Sequence, residues 1–204
     1  MKSIIYTGYT YSGGIIAGLI CREIQDVIVP ANMEFRLMKE RHGICDLEDA
    51  IFKKADPEVI DLAIKDFKWL SKCYARPDSF FKKTGFGLDE KTANNFSKHT
   101  NNYIHAITDH SYKSSWHFYD FKSPYLKVIF WRIIRRLTKD FRYGRKEAYF
   151  AYPTKTKFDK ETRKYLEKII KDLIGDLNIE EHTIALPKAI NPYRYDEIEK
   201  VINY

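Results

Sequence analysis

A chain of 204 residues is long enough to bury roughly 70% of its unfolded surface around one core, so it needs no disulfide or metal staple to fold. Its 35 Lys and Arg against 28 Asp and Glu leave a net charge of +7, which favours anionic partners such as nucleotides, nucleic acid or acidic sugars. Cys21, Cys45 and Cys73 form no C-x-x-C pair, which argues against a zinc site or a disulfide framework and for a reducing, cytoplasmic compartment.

The N-terminus carries the densest signal. Ile4-Ile5-Tyr6-Thr7 reads as a buried strand, Gly8-Tyr9-Thr10-Tyr11-Ser12-Gly13-Gly14 as a small-residue turn, and the run from Ile15 to Ile24 as an apolar helix. The turn's glycines allow close approach of the backbone to a ligand, and the first N–H groups of the following helix point into it, the arrangement of an anion site. An ordinary tight turn between a strand and a packing helix has the same pattern. No Gly-Lys-Ser/Thr follows, which removes the lysine and the magnesium hydroxyl of a nucleoside triphosphatase, and Gly-x-Gly-x-x-Gly is absent too. Tyr, Thr, Ser and Gly interrupt the apolar stretch, so it is no signal peptide, and no run approaches the ~18 apolar residues of a membrane span.

Val27 to Pro30 predicts a second strand, which emerges into Ala31-Asn32-Met33-Glu34-Phe35-Arg36. Gly43 punctuates, and Asp46 is the expected cap of a short helix to about Lys54. Asp56-Pro57 opens a helix with a cap followed by proline at the first helical position, and Ile60, Ile64, Phe67 and Leu70 give it an apolar face that ends at Arg76-Pro77. From Asp89 to about Asp109 a polar helix with a thin apolar face is expected on the surface or over a cleft. Ser123-Pro124 starts a stronger helix whose Leu126, Ile129, Phe130, Ile133, Ile134 and Leu137 form one face expected to pack. Arg132, Arg135, Arg136, Lys139, Arg142, Arg145 and Lys146 crowd the same stretch, as a solvated face or as a grip on an anion. Glu147 to Tyr152 reads as extended, and Asp159 as the cap of a helix closed by Gly175. Thr183 to Leu186 is the third strand, followed by an exit loop from Lys188 to Pro192 and a helix from Asp196 to Asn203.

The fold class is therefore α/β: about three short parallel strands, with a large helical insertion, about 46–175, between the second and third. The expected unit is a single domain over residues 1–204, with the first strand touching both others or lying between them and with right-handed crossovers.

With the loop, the exit of the second strand and the last strand in view, the sequence resembles the N-terminal part of bacterial sulfotransferase-like proteins, including those found with surface-polysaccharide genes. The resemblance rests on residues 8–14, on Glu34-Phe35-Arg36-Leu37 with Gly43-Ile44-Cys45-Asp46-Leu47-Glu48-Asp49-Ala50, and on Leu186-Pro187-Lys188-Ala189-Ile190-Asn191-Pro192. It implies a P-loop-like sheet and metal-free sulfuryl transfer from 3′-phosphoadenosine 5′-phosphosulfate to a hydroxyl of a sugar or polysaccharide. By the same resemblance Thr10, Tyr11, Ser12, Gly13 and Gly14 cradle the phosphosulfate, Glu34 is the general base and Arg36 positions the acceptor or stabilises charge. His42 is a second candidate base, and a structural ion pair between Glu34 and Arg36 is the competing assignment for those two residues. The other histidines lack the spacing of a helical metal pair.

The chain departs from that family at Tyr11, where a lysine or arginine usually precedes Ser-Gly; a phenol donates one hydrogen bond and brings no charge. It also stops at Tyr204, before the family's next strand and its contacts to the cofactor 3′-phosphate. The expectation is a truncated domain, feebly active or silent, that self-associates through an unpaired edge beside the first or third strand. The alternative, from a different class, is a non-catalytic basic module that holds an anionic polymer or nucleotide through Arg132 to Lys146; no motif for specific nucleic-acid recognition is present.

Overall fold

A computed structural model describes residues 2–6, 14–29, 36–77, 85–114, 116, 123–140, 145–175 and 183–187. Strand β1 (Lys2–Tyr6), helix α1 (Gly14–Glu23) and strand β2 (Val27–Ile28) open the chain, and β5 (Thr183–Pro187) is the last described element. All three strands pair in parallel, as their β-branched runs predict. Their order is β1-β5-β2, so the expectation that the first strand touches both others is corrected. β5 takes the centre because its Ile184 and Ala185 are wholly buried and it hydrogen-bonds on both sides, along all of β1 and along the two residues of β2. An unpaired edge beside β5 is ruled out by the same order. The predicted helix from Asp196 to Asn203 lies outside the described residues.

Between β2 and β5 stands a helical body: α2 (Ile44–Asp49), a π-helical turn (Ala50–Lys54), α3 (Pro57–Ala75), α4 (Leu88–Lys91), α5 (Phe96–Ile107), α6 (Tyr125–Thr138) and α7 (Lys155–Ile174). The insertion is not wholly helical. β3 (His110–Ser114) and β4 (Lys146–Phe150) form an antiparallel pair inside it, the second where an extended segment is predicted and the first where none is. His110 and Tyr112 stack on Phe150 across the pair at 4.9 and 5.1 Å, a cross-strand aromatic ladder that holds an otherwise polar strand.

α3 starts as its sequence predicts: the Asp56 carboxylate accepts from the N–H groups of Glu58 and Val59, and Pro57 fills the first turn. α7 corrects its predicted start, since Thr154 is the cap and Asp159 sits one turn inside, paired with Lys155. Likewise α2 is entered from Gly43, while Asp46, inside the helix, reaches back to the N–H of His42 at 2.7 Å.

The core lies between α3, α5 and α7, with Phe67, Phe96, Phe158 and Ile169 fully enclosed, and it extends to Ile184 of β5. α5 packs its thin apolar face into this core against α3 and α7, where the surface or the roof of a cleft is expected, and its Lys98, Asn101, Asn102 and His105 stay exposed. Its polar residues are tolerated inside because they pair: Thr100 with the Tyr165 hydroxyl at 2.8 Å, and Tyr103 with Thr162 at 2.9 Å. Burial pushes both phenols well above their ordinary pKa, so they stay neutral at any working pH. α6 departs in the opposite direction, because none of its residues is buried.

Candidate functional site

β1 and β5 end together, Tyr6 level with Pro187, whereas β2 ends at Ile28, level with Ile184 and three residues short of that edge. From Tyr6 the chain runs through residues 7–13 into α1, and from Val29 through residues 30–35 to Arg36. In open α/β sheets ligands bind outside this edge. α1 begins at Gly14 and has no acidic residue in its first turn, so no carboxylate of its own offsets the positive N-terminal end of the helix. β5 separates β1 from β2, so these two strands lie roughly 10 Å apart across the sheet, two strand spacings of about 4.8 Å, and β2 ends three residues earlier along it.

Of the predicted site residues, Gly14 is the first residue of α1, and Arg36 begins the described segment that leads to α2. Thr10, Tyr11, Ser12, Gly13 and Glu34 lie outside the described residues. The Arg36 Nε lies 3.2 Å from Glu40 Oε2, an i, i+4 ion pair whose two side chains are half-buried. His42, the second candidate base, has its Nδ1 3.3 Å from Asp66 Oδ2 of α3 and its ring edge-on to Trp69.

The turn that follows Arg36 is rigid. Leu37 and Met38 are buried, and their carbonyls accept from the N–H groups of Ile44 and Cys45, both at 3.1 Å. Gly43 closes this turn against backbone: a Cβ there would stand 2.5 Å from the Leu37 carbonyl oxygen, 2.6 Å from that of Glu40 and 2.9 Å from that of Met38. Three carbonyls cannot move as a side-chain tip can. Gly43→Ala is therefore expected to destabilise the protein by about 1–3 kcal/mol, read as a lower midpoint in urea unfolding. The Gly43-Ile44-Cys45-Asp46 motif has its physical reason in this close approach.

A second constellation was not legible in the sequence. Asp61, fully buried on α3, accepts from Lys65 Nζ at 2.7 Å, from the Trp116 indole N–H at 2.8 Å and from the N–H of Tyr149 at 3.0 Å. Two turns past Asp61, Lys68 Nζ donates to the Tyr149 hydroxyl at 2.6 Å, which donates to Glu147 at 2.9 Å; Ser111 donates to the other Glu147 oxygen at 2.8 Å. The sequence signal was an aspartate within the apolar period of α3, beside Ile60 and three residues before Ile64.

Hydrogen bonds from Ser111 and Tyr149 hold the Glu147 carboxyl below the usual range, while burial and then Glu147 push the Tyr149 phenol up. Burial lowers the Lys68 ammonium, with Glu147 opposing. At neutral pH the carboxylate is thus charged and weakly basic and the phenol is protonated, so the cluster clamps α3 to β4 rather than moving protons. A carboxyl lowered on folding stabilises above its unfolded pKa, and that contribution is lost as pH falls through its folded pKa. Glu147→Gln should accordingly flatten the acid fall of the melting temperature below about pH 4.5 and leave pH 7 to 8 little changed, a small effect because Glu147 is exposed.

On α6, Arg132, Arg135, Arg136 and Lys139 line an open concavity of about 460 Å³. Among the described residues no group of three or more His, Cys, Asp or Glu is placed to hold a metal ion, and no helix is long and apolar enough to cross a membrane. Comparison with protein-family models, with curated proteins and with solved structures gives no match.

Proposed function

We propose that the chain is a sulfotransferase-like protein that binds 3′-phosphoadenosine 5′-phosphosulfate at the carboxyl edge of its P-loop-like sheet and passes the sulfuryl group to a sugar hydroxyl. The observation that carries this reading is the connection from β1 to α1: a parallel strand ending at Tyr6, a glycine- and hydroxyl-rich segment, and a helix opening at Gly14 without an acidic residue in its first turn. Such a connection suits a phosphate-bearing group without a nearby lysine. Thr10, Tyr11, Ser12, Gly13 and Gly14 are assigned to the donor and Glu34 to the acceptor, with Arg36 beside it. Glu34 takes the proton of the acceptor hydroxyl as its oxygen bonds to sulfur. The bond from sulfur to the bridging phosphate oxygen breaks, and the phosphate leaves with the electron pair. The three free cysteines fit a reducing, cytoplasmic setting.

Calorimetry with adenosine 3′,5′-bisphosphate, set against magnesium-ATP, tests the reading. Binding of the bisphosphate without magnesium is expected, lost on Gly14→Asp, which sets a negative charge at the helix N-terminus. Tight, magnesium-dependent binding of ATP would overturn it. The second reading, a non-catalytic module for anionic polymers, draws on the exposed Arg132, Arg136 and Lys139 at the α6 concavity. Retention on an acidic polysaccharide without any binding of the bisphosphate would favour that module.

A further inference from the structure

α6 is the most amphipathic exposed element of the described structure, and none of the described helices or strands packs along it. Leu126, Phe130, Ile133 and Leu137 recur at steps of four, three and four, which aligns them on one stripe, and they are 80, 53, 52 and 77% exposed. Arg132, Arg136 and Lys139 belong to the other side, and no acidic residue occurs from Tyr125 to Lys139. Fourteen residues span only about 21 Å at 1.5 Å each, too short to cross a bilayer core of ~30 Å.

Three kinds of occupant could cover such a helix, and the charge pattern separates them. A second copy laid along the stripe would bring two sets of cations together with no carboxylate on either helix to pair with them, the reverse of what selects a coiled coil. A nucleic acid or acidic polymer would satisfy the arginines and leave the four large apolar side chains in water. An anionic bilayer surface satisfies both sides at once: the stripe sinks to the boundary of the acyl chains, while the long basic side chains reach up to the headgroup phosphates. We propose that α6 is a membrane-surface helix that docks this protein on an anionic lipid bilayer. The proposal is independent of the sulfuryl-transfer reading, because it uses no residue of that site.

Flotation of the full chain with vesicles tests it. The protein is expected to float with vesicles of equimolar phosphatidylcholine and phosphatidylglycerol, and on the order of 100-fold less with phosphatidylcholine alone, since each of Arg132, Arg136 and Lys139 near an anionic surface raises partitioning roughly 5-fold. That comparison needs no variant. Phe130→Asp with Ile133→Asp, and separately Arg132→Gln with Arg136→Gln, should each lower flotation about 10-fold or more with the far-ultraviolet circular dichroism unchanged. The wild-type chain failing to float with the anionic vesicles would overturn the proposal. So would undiminished flotation of the aspartate pair, or a dimer in light scattering that the aspartate pair dissolves. Binding to RNA or acidic polysaccharide that the aspartate pair leaves intact, without flotation, would assign α6 to a polymer instead.

Discussion

Asp61→Ala should cost about 3–5 kcal/mol of unfolding free energy, the range for breaking a buried, hydrogen-bonded ion pair by removing one partner. The carboxylate is fully buried and, among the described residues, accepts from the Lys65 ammonium, the Trp116 indole N–H and the backbone N–H of Tyr149. Alanine would leave a cation with its counter-ion gone and two N–H groups without their acceptor, and each such group carries its own desolvation penalty of about 1–3 kcal/mol. Against a typical total of about 5–15 kcal/mol, the loss approaches the whole margin. Urea unfolding followed by tryptophan fluorescence would measure it. Asp61→Asn, which keeps one carbonyl acceptor, should lose less. A fall under about 1 kcal/mol for Asp61→Ala would mean that water replaces the carboxylate and that the clamp between α3 and β4 is incidental.

What the sequence revealed and what it hid follow from the same physics. β1, β2 and β5 were legible because β-branched residues bounded by turn residues fit a buried parallel strand. Their order was not, since periodicity identifies a face and says nothing about a neighbour; the buried pair Ile184-Ala185 decided it. β3, His-Ser-Tyr-Lys-Ser, is polar and almost wholly exposed, and it becomes a strand through partners thirty-two to forty residues away in β4. α5 misled because Thr100 counts as polar by composition yet enters the core once the Tyr165 hydroxyl pairs with it, so the buried face is wider than Phe96, Tyr103, Ile104 and Ile107 alone suggest. α6 misled in the other direction, since an apolar face at helical spacing predicts packing whether or not the chain supplies a surface to pack on. At the candidate site, the strand–segment–helix order and the parallel direction of the strands were legible. Thr10 to Gly13 and Glu34 fall outside the described residues, so the roles assigned to them rest on residue type and resemblance.

Glu34→Gln should lower sulfuryl transfer by ~10²-fold or more, with the affinity for adenosine 3′,5′-bisphosphate nearly unchanged, because a positioned general base contributes ~10²–10⁴-fold and the substitution keeps shape while removing basicity. A hundredfold corresponds to about 2.7 kcal/mol of transition-state stabilisation, which separates a base from a residue that only shapes the acceptor pocket. The split matters because the sheet separates the two roles. Donor binding is assigned to the connection after β1 and proton removal to the segment after β2, with β5 between them, so a change in one should leave the other's binding intact. The check is a single-turnover transfer assay from labelled 3′-phosphoadenosine 5′-phosphosulfate to a panel of sugar acceptors, run beside bisphosphate calorimetry on both proteins. Arg36→Gln should weaken acceptor use as well, whereas His42→Gln, whose imidazole faces Asp66 of α3, should change transfer little. If Glu34→Gln keeps full activity while His42→Gln abolishes it, the base is His42 and the assignment of the acceptor side moves from the edge of the sheet to the turn against α3.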